Sequence, residues 1–176
     1  MTTANKITIF RVFCIPVFIV LMYLEGTAAQ YGAFAVFVIA SLSDFVDGYI
    51  ARHYNQVSNF GKFMDPLADK MLVITAMLLF VEQGRMPGWV LALIVGREFG
   101  VSGLRMVAVE QGRVIAAAKS GKVKTASTMI CIILMLIVVD STILDLVCNG
   151  VILVTTLYSG VEYFIVNRDV LKSESM

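Results

Sequence analysis

Long apolar runs alternate with short polar connections along almost the whole chain. The runs cover residues 7–24, 31–53, 62–82, 87–111, 118–140 and 144–167. Each run has roughly the 20 residues that a helix needs to cross the hydrocarbon core of a bilayer. The connections carry glycine or charged and polar residues, which favour turns. The pattern therefore predicts six helices, each antiparallel to the next.

The composition is typical of a membrane protein. Of the 176 residues, 59% are hydrophobic and 15% are charged, and the mean hydropathy is +0.85. A chain of this length can hold six spans with short connections, which leaves little sequence for a soluble domain. We expect an all-α polytopic membrane protein with six transmembrane helices, in which residues 1–176 form a single domain.

The positive charges indicate how the predicted bundle is oriented. Both termini and the connections on one side carry Lys6, Arg11, Arg52, Lys62, Arg113, Lys119, Lys122, Lys124, Arg168 and Lys172. The connections on the other side carry four acids and a single cation, Arg85. Because cytoplasmic loops retain Lys and Arg, we expect both termini to face the cytoplasm. The net charge of +1 and the lack of a polybasic tail give no indication of a nucleic-acid partner.

Four aspartates interrupt the apolar pattern where the second and third spans meet. Within 26 residues stand Asp44, Asp47, Asp65 and Asp69. Four carboxylates at membrane depth repel one another, so the cluster is either partly protonated or held by a cation. The members of each pair are three or four residues apart and share one helix face. Such a set of oxygen donors suits Mg²⁺ or Mn²⁺, and the one histidine, His53, gives no zinc pattern.

Residues around the aspartates follow a fixed spacing, Asp44-x2-Asp47-Gly48-x2-Ala51-Arg52-x8-Gly61-x3-Asp65-x3-Asp69. The spacing resembles the signature of the CDP-alcohol phosphotransferase family. The resemblance implies a single domain of that family, in which metal ions, two in number, engage the diphosphate of a CDP-linked donor. An alcohol then attacks the phosphorus distal to cytidine, and CMP leaves. It also implies that the first three aspartates are metal ligands and that Asp69 is the general base and a ligand of the second ion.

The same signature predicts the contacts of the donor, CDP-diacylglycerol. We assign them to Thr8, Asp44, Gly48, Ala51, Arg52 and Ser58. Gly48 and Ala51 leave room beside the first aspartate pair, and Arg52 offers a fork of donors to a diphosphate. Ser58 fits an ordinary turn residue as well as a nucleotide contact. Thr8 is included because the first span of similar proteins lies near the nucleotide.

Four stretches in and around the signature resemble bacterial phosphatidylglycerophosphate synthases. These stretches are residues 5–11, 61–70, 97–105 and 121–125. The resemblance implies that glycerol 3-phosphate is the acceptor. It also implies a homodimer in the cytoplasmic (inner) membrane, with the active site facing the cytoplasm. An acceptor that brings its own phosphate needs cations, and we assign Arg97, Arg105, Lys122, Lys124 and Arg168.

Other roles for these cations, and other functions, also fit the sequence. Arg97 and Arg105 would serve equally in ion pairs with Glu98 or the aspartates, and the two lysines would serve in contacts to anionic headgroups. A sibling enzyme that uses inositol phosphate, serine or phosphatidylglycerol as acceptor would share the signature. A small cation transporter would use the aspartates as an ion path. A purely structural membrane protein would leave them unexplained.

Overall fold

The computed structural model describes residues 3–53, 59–113, 115, 118–139 and 141–172. Side chains are described for residues 9–43, 67–68, 70–113, 115, 118–139 and 141–170. Every element in these ranges is a helix. They are α1 (Thr3–Tyr23), α2 (Thr27–His53), α3 (Asn59–Glu82), α4 (Gly88–Glu110), α5 (Lys119–Ile137), α6 (Thr142–Val166) and α7 (Arg168–Lys172). The all-α class is confirmed, and the six predicted helical segments correspond to α1 to α6.

The predicted helix ends differ from the observed ones by a few residues. α1 and α2 each begin four residues before the predicted span, because their first turns are too polar to be read as membrane-spanning and yet are helical. α5 ends three residues early at Ile137. Residues 138 and 139 are non-helical. The side chain of Ser141 accepts a hydrogen bond from the backbone of Leu144 (3.3 Å) and caps α6.

Three of the predicted connections turn on glycines with positive φ. They are Gly26 (114°), Gly84 (72°) and Gly112 (72°). The last of these ends α4 in a Schellman motif. In that motif the Gly112 N–H bonds the carbonyl of Val109 (2.9 Å), and the Arg113 N–H bonds the carbonyl of Ala108 (2.8 Å). A side chain at these glycines would strain the left-handed backbone.

The helices fall into two compact units, residues 1–82 with 136–139 and residues 83–135 with 140–176. In the first unit α1 packs against α2 and α3. The fully buried rings of Phe18 and Phe37 lie 5.8 Å apart between α1 and α2. Tyr23 donates to Glu82 across 2.6 Å, which joins the C-terminal ends of α1 and α3. These two helices therefore run parallel, and α2 runs opposite to both.

In the second unit α4 packs against α6, and α7 folds back onto α4. Arg97 bonds Ser159 (2.8 Å), and Gln111 bonds the backbone carbonyl of Val170 (3.1 Å). The residue that comes later in or after α4 contacts the residue that comes later in the α6–α7 segment. The helices α4 and α6 therefore run parallel. Beside them a buried cluster is formed by Val101, Leu104, Ala108, Tyr163 and Val170. The short α7 was not predicted, because five residues show no periodicity.

Two helices in the described part of the chain are long and apolar enough to cross a membrane, α5 and α6. Only 33% of the apolar window of α5 and 39% of that of α6 is buried inside the protein. The core helix of a soluble protein would bury most of this surface. Shorter apolar helical segments cover Ile9–Tyr23 and Thr27–Ser43. The exposure of α5 and α6 therefore favours contact with lipid.

Candidate active site

The four aspartates lie on the two helices that meet at the 54–58 connection. Asp44 and Asp47 stand nine and six residues before the C-terminal end of α2, and Asp65 and Asp69 stand six and ten residues after the start of α3. At about 1.5 Å per residue, both pairs lie roughly 9–15 Å from the connected helix ends. The antiparallel course of α2 and α3 thus brings the two backbone segments to matching depths. The aspartate side chains lie outside the described residues.

The residues assigned to the donor cluster at the same end of the first unit. Gly48, Ala51 and Arg52 belong to the last turns of α2, and Thr8 belongs to the start of the antiparallel α1. Their side chains, and all of Ser58, lie outside the described residues, so their contacts stay predictions. Among the side chains that are described, no three His, Cys, Asp or Glu residues lie close enough together to hold a metal ion.

Two of the five cations assigned to the acceptor share one carboxylate. Arg97 Nη1 lies 2.9 Å from Glu98 Oε1, and Lys124 Nζ lies 2.6 Å from the same oxygen. We call Arg97, Glu98 and Lys124 the Glu98 triad. All three side chains are at least 85% buried. Arg97 Nη2 also donates to Ser159 (2.8 Å). The ion pair with Glu98 that the sequence left as an alternative is therefore present for Arg97.

Arg105 has a different environment. Its side chain is exposed, its Nε donates to the hydroxyl of Tyr163 (3.0 Å), and its Cζ lies 5.5 Å from the centre of that ring. Tyr163 is only 3% exposed. Arg97 and Arg105 thus both face α6, which confirms that residues eight apart on α4 share a face. Only the first of them pairs with Glu98 in the described part of the chain.

The remaining cations, Lys122 and Arg168, are exposed. Lys122 is two residues, or about 200°, around α5 from the buried Lys124, so the two lysines lie on different faces. Arg168 begins α7. In the described contacts the structure joins Arg97 to Lys124 through Glu98 and does not gather all five cations around one point.

Sequence reasoning missed the residues of α6 that hold the arginines. A Cβ atom at Gly160 would lie 3.0 Å from Arg97 Cγ, so the glycine makes room for the arginine stem. The buried positions Thr156, Ser159, Gly160 and Tyr163 recur every three or four residues. Small and polar residues at this spacing in an otherwise apolar helix mark a face that packs against protein. That spacing was the signal in the sequence.

A second buried charge cluster lies where α4 and α6 begin. Arg85 Nε and Nη2 bond the two carboxylate oxygens of Asp145 (2.9 and 2.6 Å), and Nη1 bonds the carbonyl of Met135 (2.8 Å). Asn149 donates to the carbonyl of Arg85 (2.8 Å). We call these four residues the Arg85 clamp. Arg85 is the one cation in the predicted connections that otherwise carry acids. The clamp explains its position, because Arg85 is the partner of the buried Asp145.

Comparison with known proteins identifies the group to which this arrangement belongs. The family model for CDP-alcohol phosphatidyltransferases matches residues 1–161. The chain belongs to the CDP-alcohol phosphatidyltransferase family. The match includes the complete aspartate signature and every assigned cation except Arg168. Members of this family are enzymes that transfer a phosphatidyl group with the help of divalent metal ions, and the protein is accordingly a membrane-bound phosphatidyltransferase.

Individual relatives within the CDP-alcohol phosphatidyltransferase family agree in their names. A protein of Bacillus subtilis is 39% identical over 97% of each chain and is named CDP-diacylglycerol–glycerol-3-phosphate 3-phosphatidyltransferase. Proteins with the same name in Rickettsia typhi and Escherichia coli K12 are 37% and 40% identical. The first covers 91% of this chain and 93% of its own length, and the second covers 72% and 71%.

Proposed function

We propose that the protein transfers the phosphatidyl group of CDP-diacylglycerol to glycerol 3-phosphate, giving phosphatidylglycerophosphate and CMP. The observation that carries the proposal is the placement of the two aspartate pairs. α2 and α3 bring their backbones to matching depths at one end of the first unit, within a signature that belongs to the family. The names of relatives that align over nearly the whole chain support glycerol 3-phosphate as the acceptor.

In this proposal Asp44, Asp47 and Asp65 hold divalent metal, and Asp69 is the general base and a ligand of a second ion. The ions, Mg²⁺ or alternatively Mn²⁺, screen the diphosphate and polarise the phosphorus when bound. Asp69 accepts the proton of the primary hydroxyl of glycerol 3-phosphate. A bond forms from that oxygen to the phosphorus, and the bond from phosphorus to the CMP oxygen breaks, with the electron pair leaving on CMP.

The donor is oriented by the end of the first unit that carries the signature. We assign the diphosphate to Arg52, because a guanidinium can donate two parallel hydrogen bonds to phosphate oxygens. Gly48 and Ala51 let the nucleotide approach the α2 backbone. Thr8, near the N-terminal end of α1, and Ser58 supply hydroxyl groups. Asp44 contributes to this subsite as well as to the metal.

For the acceptor phosphate the geometry favours Arg105, Lys122 and Arg168, whose side chains are exposed. Arg97 and Lys124 already bond Glu98. They would bind phosphate only by exchanging that carboxylate for it. We therefore propose that the three exposed cations, rather than Arg97 and Lys124, meet the phosphate first.

The membrane arrangement follows from the same elements. We propose a multi-pass protein of the cytoplasmic membrane, with six spans formed by α1 to α6, both termini and the active site facing the cytoplasm, and a homodimeric assembly. The exposed apolar surfaces of α5 and α6 support membrane contact. The positive charges at the ends that carry the signature support the orientation. Residues 1–176 then form a single domain of the family.

The test is an acceptor screen with the purified protein. CDP-diacylglycerol and Mg²⁺ are supplied with glycerol 3-phosphate, inositol phosphate, serine or phosphatidylglycerol in turn, and CMP release is measured. Among the four acceptors, the proposal expects CMP release only with glycerol 3-phosphate. Release only with inositol phosphate would overturn the acceptor assignment, and no release with any acceptor would overturn the reaction.

The role of Asp69 has its own test. Asp69→Asn should abolish turnover, because an amide does not accept the hydroxyl proton. It should leave most binding of CDP-diacylglycerol in place, since three other carboxylates remain to hold metal. Asp169→Asn, an exposed aspartate outside the signature, is the matched control and should keep full turnover. Loss of donor binding in Asp69→Asn would make this residue chiefly a metal ligand.

A further inference from the structure

We propose that Tyr163 is a positioning residue that holds the guanidinium of Arg105 ready for the phosphate of the acceptor. The inference rests on the proposed function, since it assumes that Arg105 binds that phosphate. It adds a residue on α6 that touches neither substrate and acts through the arginine. Three observations support it: the rigidity of Tyr163, its two contacts with Arg105, and the nitrogens that these contacts leave available.

Tyr163 is fixed at both its ring and its backbone. The ring lies in the buried cluster with Val101, Leu104 and Val170, and the residue is 3% exposed. Its carbonyl accepts hydrogen bonds from the backbone (3.2 Å) and the side chain (2.8 Å) of Asn167. A tyrosine held in this way has few orientations for its hydroxyl. Buried tyrosine hydroxyls usually have a hydrogen-bond partner, and here the partner is Arg105.

The two contacts together restrict the arginine. Nε of Arg105 donates to the Tyr163 hydroxyl (3.0 Å), and its Cζ lies 5.5 Å from the centre of the ring. The second distance is within the range of a cation–π interaction. A long exposed arginine otherwise samples many rotamers, and this freedom is lost when it binds a ligand. A rigid partner removes part of that entropic cost before the acceptor arrives.

The contacts also leave the binding end of the guanidinium available. Among the described side chains, Arg105 contacts Tyr163 through Nε and through the flat face of its guanidinium. Its Nη1 and Nη2 make no hydrogen bond there. Arg97 provides the contrast, because Glu98 occupies its Nη1 and Ser159 its Nη2. A phosphate that binds two guanidinium nitrogens side by side requires such an unused pair. Of the two arginines on this face of α4, Arg105 is the one that is prepared for an anion.

The experiment compares four variants of the full-length enzyme in the same lipid or detergent. Tyr163→Phe removes the hydroxyl and keeps the ring in the buried cluster. Arg105→Ala removes the binding group, and the double variant measures whether the two effects are coupled. Tyr158→Phe is the matched control, because it removes a tyrosine hydroxyl from the same helix at a position that is 65% exposed. KM is measured separately for glycerol 3-phosphate and for CDP-diacylglycerol.

We expect Tyr163→Phe to raise KM for glycerol 3-phosphate about three- to tenfold, the size expected for one hydrogen bond. Arg105→Ala should raise it by about ten- to a hundredfold, because a charged group is lost. The double variant should match Arg105→Ala within about twofold. KM for CDP-diacylglycerol and the thermal unfolding midpoint of Tyr163→Phe should stay at the wild-type values, and Tyr158→Phe should behave as wild type.

Different outcomes would overturn different statements. A normal KM in Tyr163→Phe, together with a raised KM in Arg105→Ala, would overturn the positioning role and leave the proposed function intact. A normal KM in Arg105→Ala would overturn both the positioning role and the assignment of Arg105 to the acceptor. Equal increases in KM for both substrates in Tyr163→Phe would show a general structural effect and would also overturn the proposal. Only a wild-type enzyme that fails to use glycerol 3-phosphate would overturn the function itself.

Discussion

The Arg85 clamp and the Glu98 triad are both buried charge clusters of the second unit, and the ratio of cations to anions differs between them. In the clamp one guanidinium faces one carboxylate through two hydrogen bonds. In the triad two cations share a single carboxylate oxygen. Counted over these contacts among the described side chains, the clamp pairs one cation with one anion, whereas the triad pairs two cations with one anion. A guanidinium that bonds both oxygens of one buried carboxylate is typical of a structural role.

The clamp also joins helix ends, which the triad does not. Arg85 precedes α4 and donates to Met135 in the last turn of α5, and Asp145 stands in the first turn of α6. A cation at a helix C-terminus and an anion at a helix N-terminus both interact favourably with the helix dipoles. Every group in the clamp thus stabilises a connection between helices. The comparison can be tested by removing charges from each cluster in turn.

The largest effect is expected for Asp145→Ala. It removes the carboxylate that Nε and Nη2 of Arg85 bond, which should lower the free energy of unfolding by about 3 kcal/mol or more. We expect KM for both substrates of the folded enzyme to be unchanged. The measurement is denaturant unfolding in micelles together with steady-state kinetics. The double variant Arg85→Met/Asp145→Leu is the control, because replacing both charges by apolar groups should recover much of the stability.

A smaller effect is expected for Glu98→Gln. The amide is a weaker acceptor for Arg97 and Lys124, so the free energy of unfolding should fall by about 2 kcal/mol. KM for glycerol 3-phosphate should change less than twofold, because the two cations serve the triad rather than the acceptor. A several-fold decrease in KM would contradict this expectation. It would show that the Glu98 carboxylate competes with the acceptor phosphate and that the triad belongs to the binding site.

Gly160→Ala should displace Arg97 of the Glu98 triad, because Gly160 lies on α6 against the arginine stem. The new Cβ atom would lie 3.0 Å from Arg97 Cγ, and moving the arginine should cost about 1 kcal/mol of unfolding free energy. Gly150→Ala on the same helix is the matched control, since its Cβ atom would meet nothing within 4 Å. There the better helix propensity of alanine should leave stability equal or slightly higher. Equal losses in both variants would show that Arg97 does not depend on Gly160.

The fold was largely predictable because its elements depend on local pattern. Apolar runs of membrane-spanning length predicted α1 to α6. The glycines at the connections predicted the turns, because glycine adopts a positive φ without steric cost. The helix ends were less accurate, because polar first turns and the cap at Ser141 depend on hydrogen bonds rather than on hydropathy. α7 was missed because its five residues are too few to show a periodicity.

The candidate site was predictable only in part. The spacing of the four aspartates predicted helical pairs at the α2–α3 connection, and the structure places their backbones there. The partners of the cations were not predictable. Glu98 was considered, but which of Arg97, Arg105 and Lys124 it would bind depends on how α4, α5 and α6 pack together. The role of Tyr163 likewise follows only from tertiary contacts.

The smallest effect is expected at the exposed pair Arg113–Asp169, whose side chains are 55% and 62% exposed. A hydrogen bond from its own backbone, and then the one from Arg113 (3.3 Å), hold the pKa of Asp169 below its ordinary value of 3.8. Because the folded pKa is the lower one, the carboxylate stabilises the fold above pH 3.8, and this contribution is lost as the pH falls through the folded pKa.

Asp169→Asn should therefore barely change the unfolding midpoint at pH 7, since solvent screens exposed pairs. Any difference from wild type should shrink as the pH falls from about 3.8 through the lower folded pKa of Asp169, below which both proteins carry a neutral side chain at this position. The measurement is thermal unfolding of both proteins from pH 7 to pH 3. A difference that grows at low pH, or a loss at pH 7 as large as that of Asp145→Ala, would contradict the distinction between the exposed pair and the buried clamp.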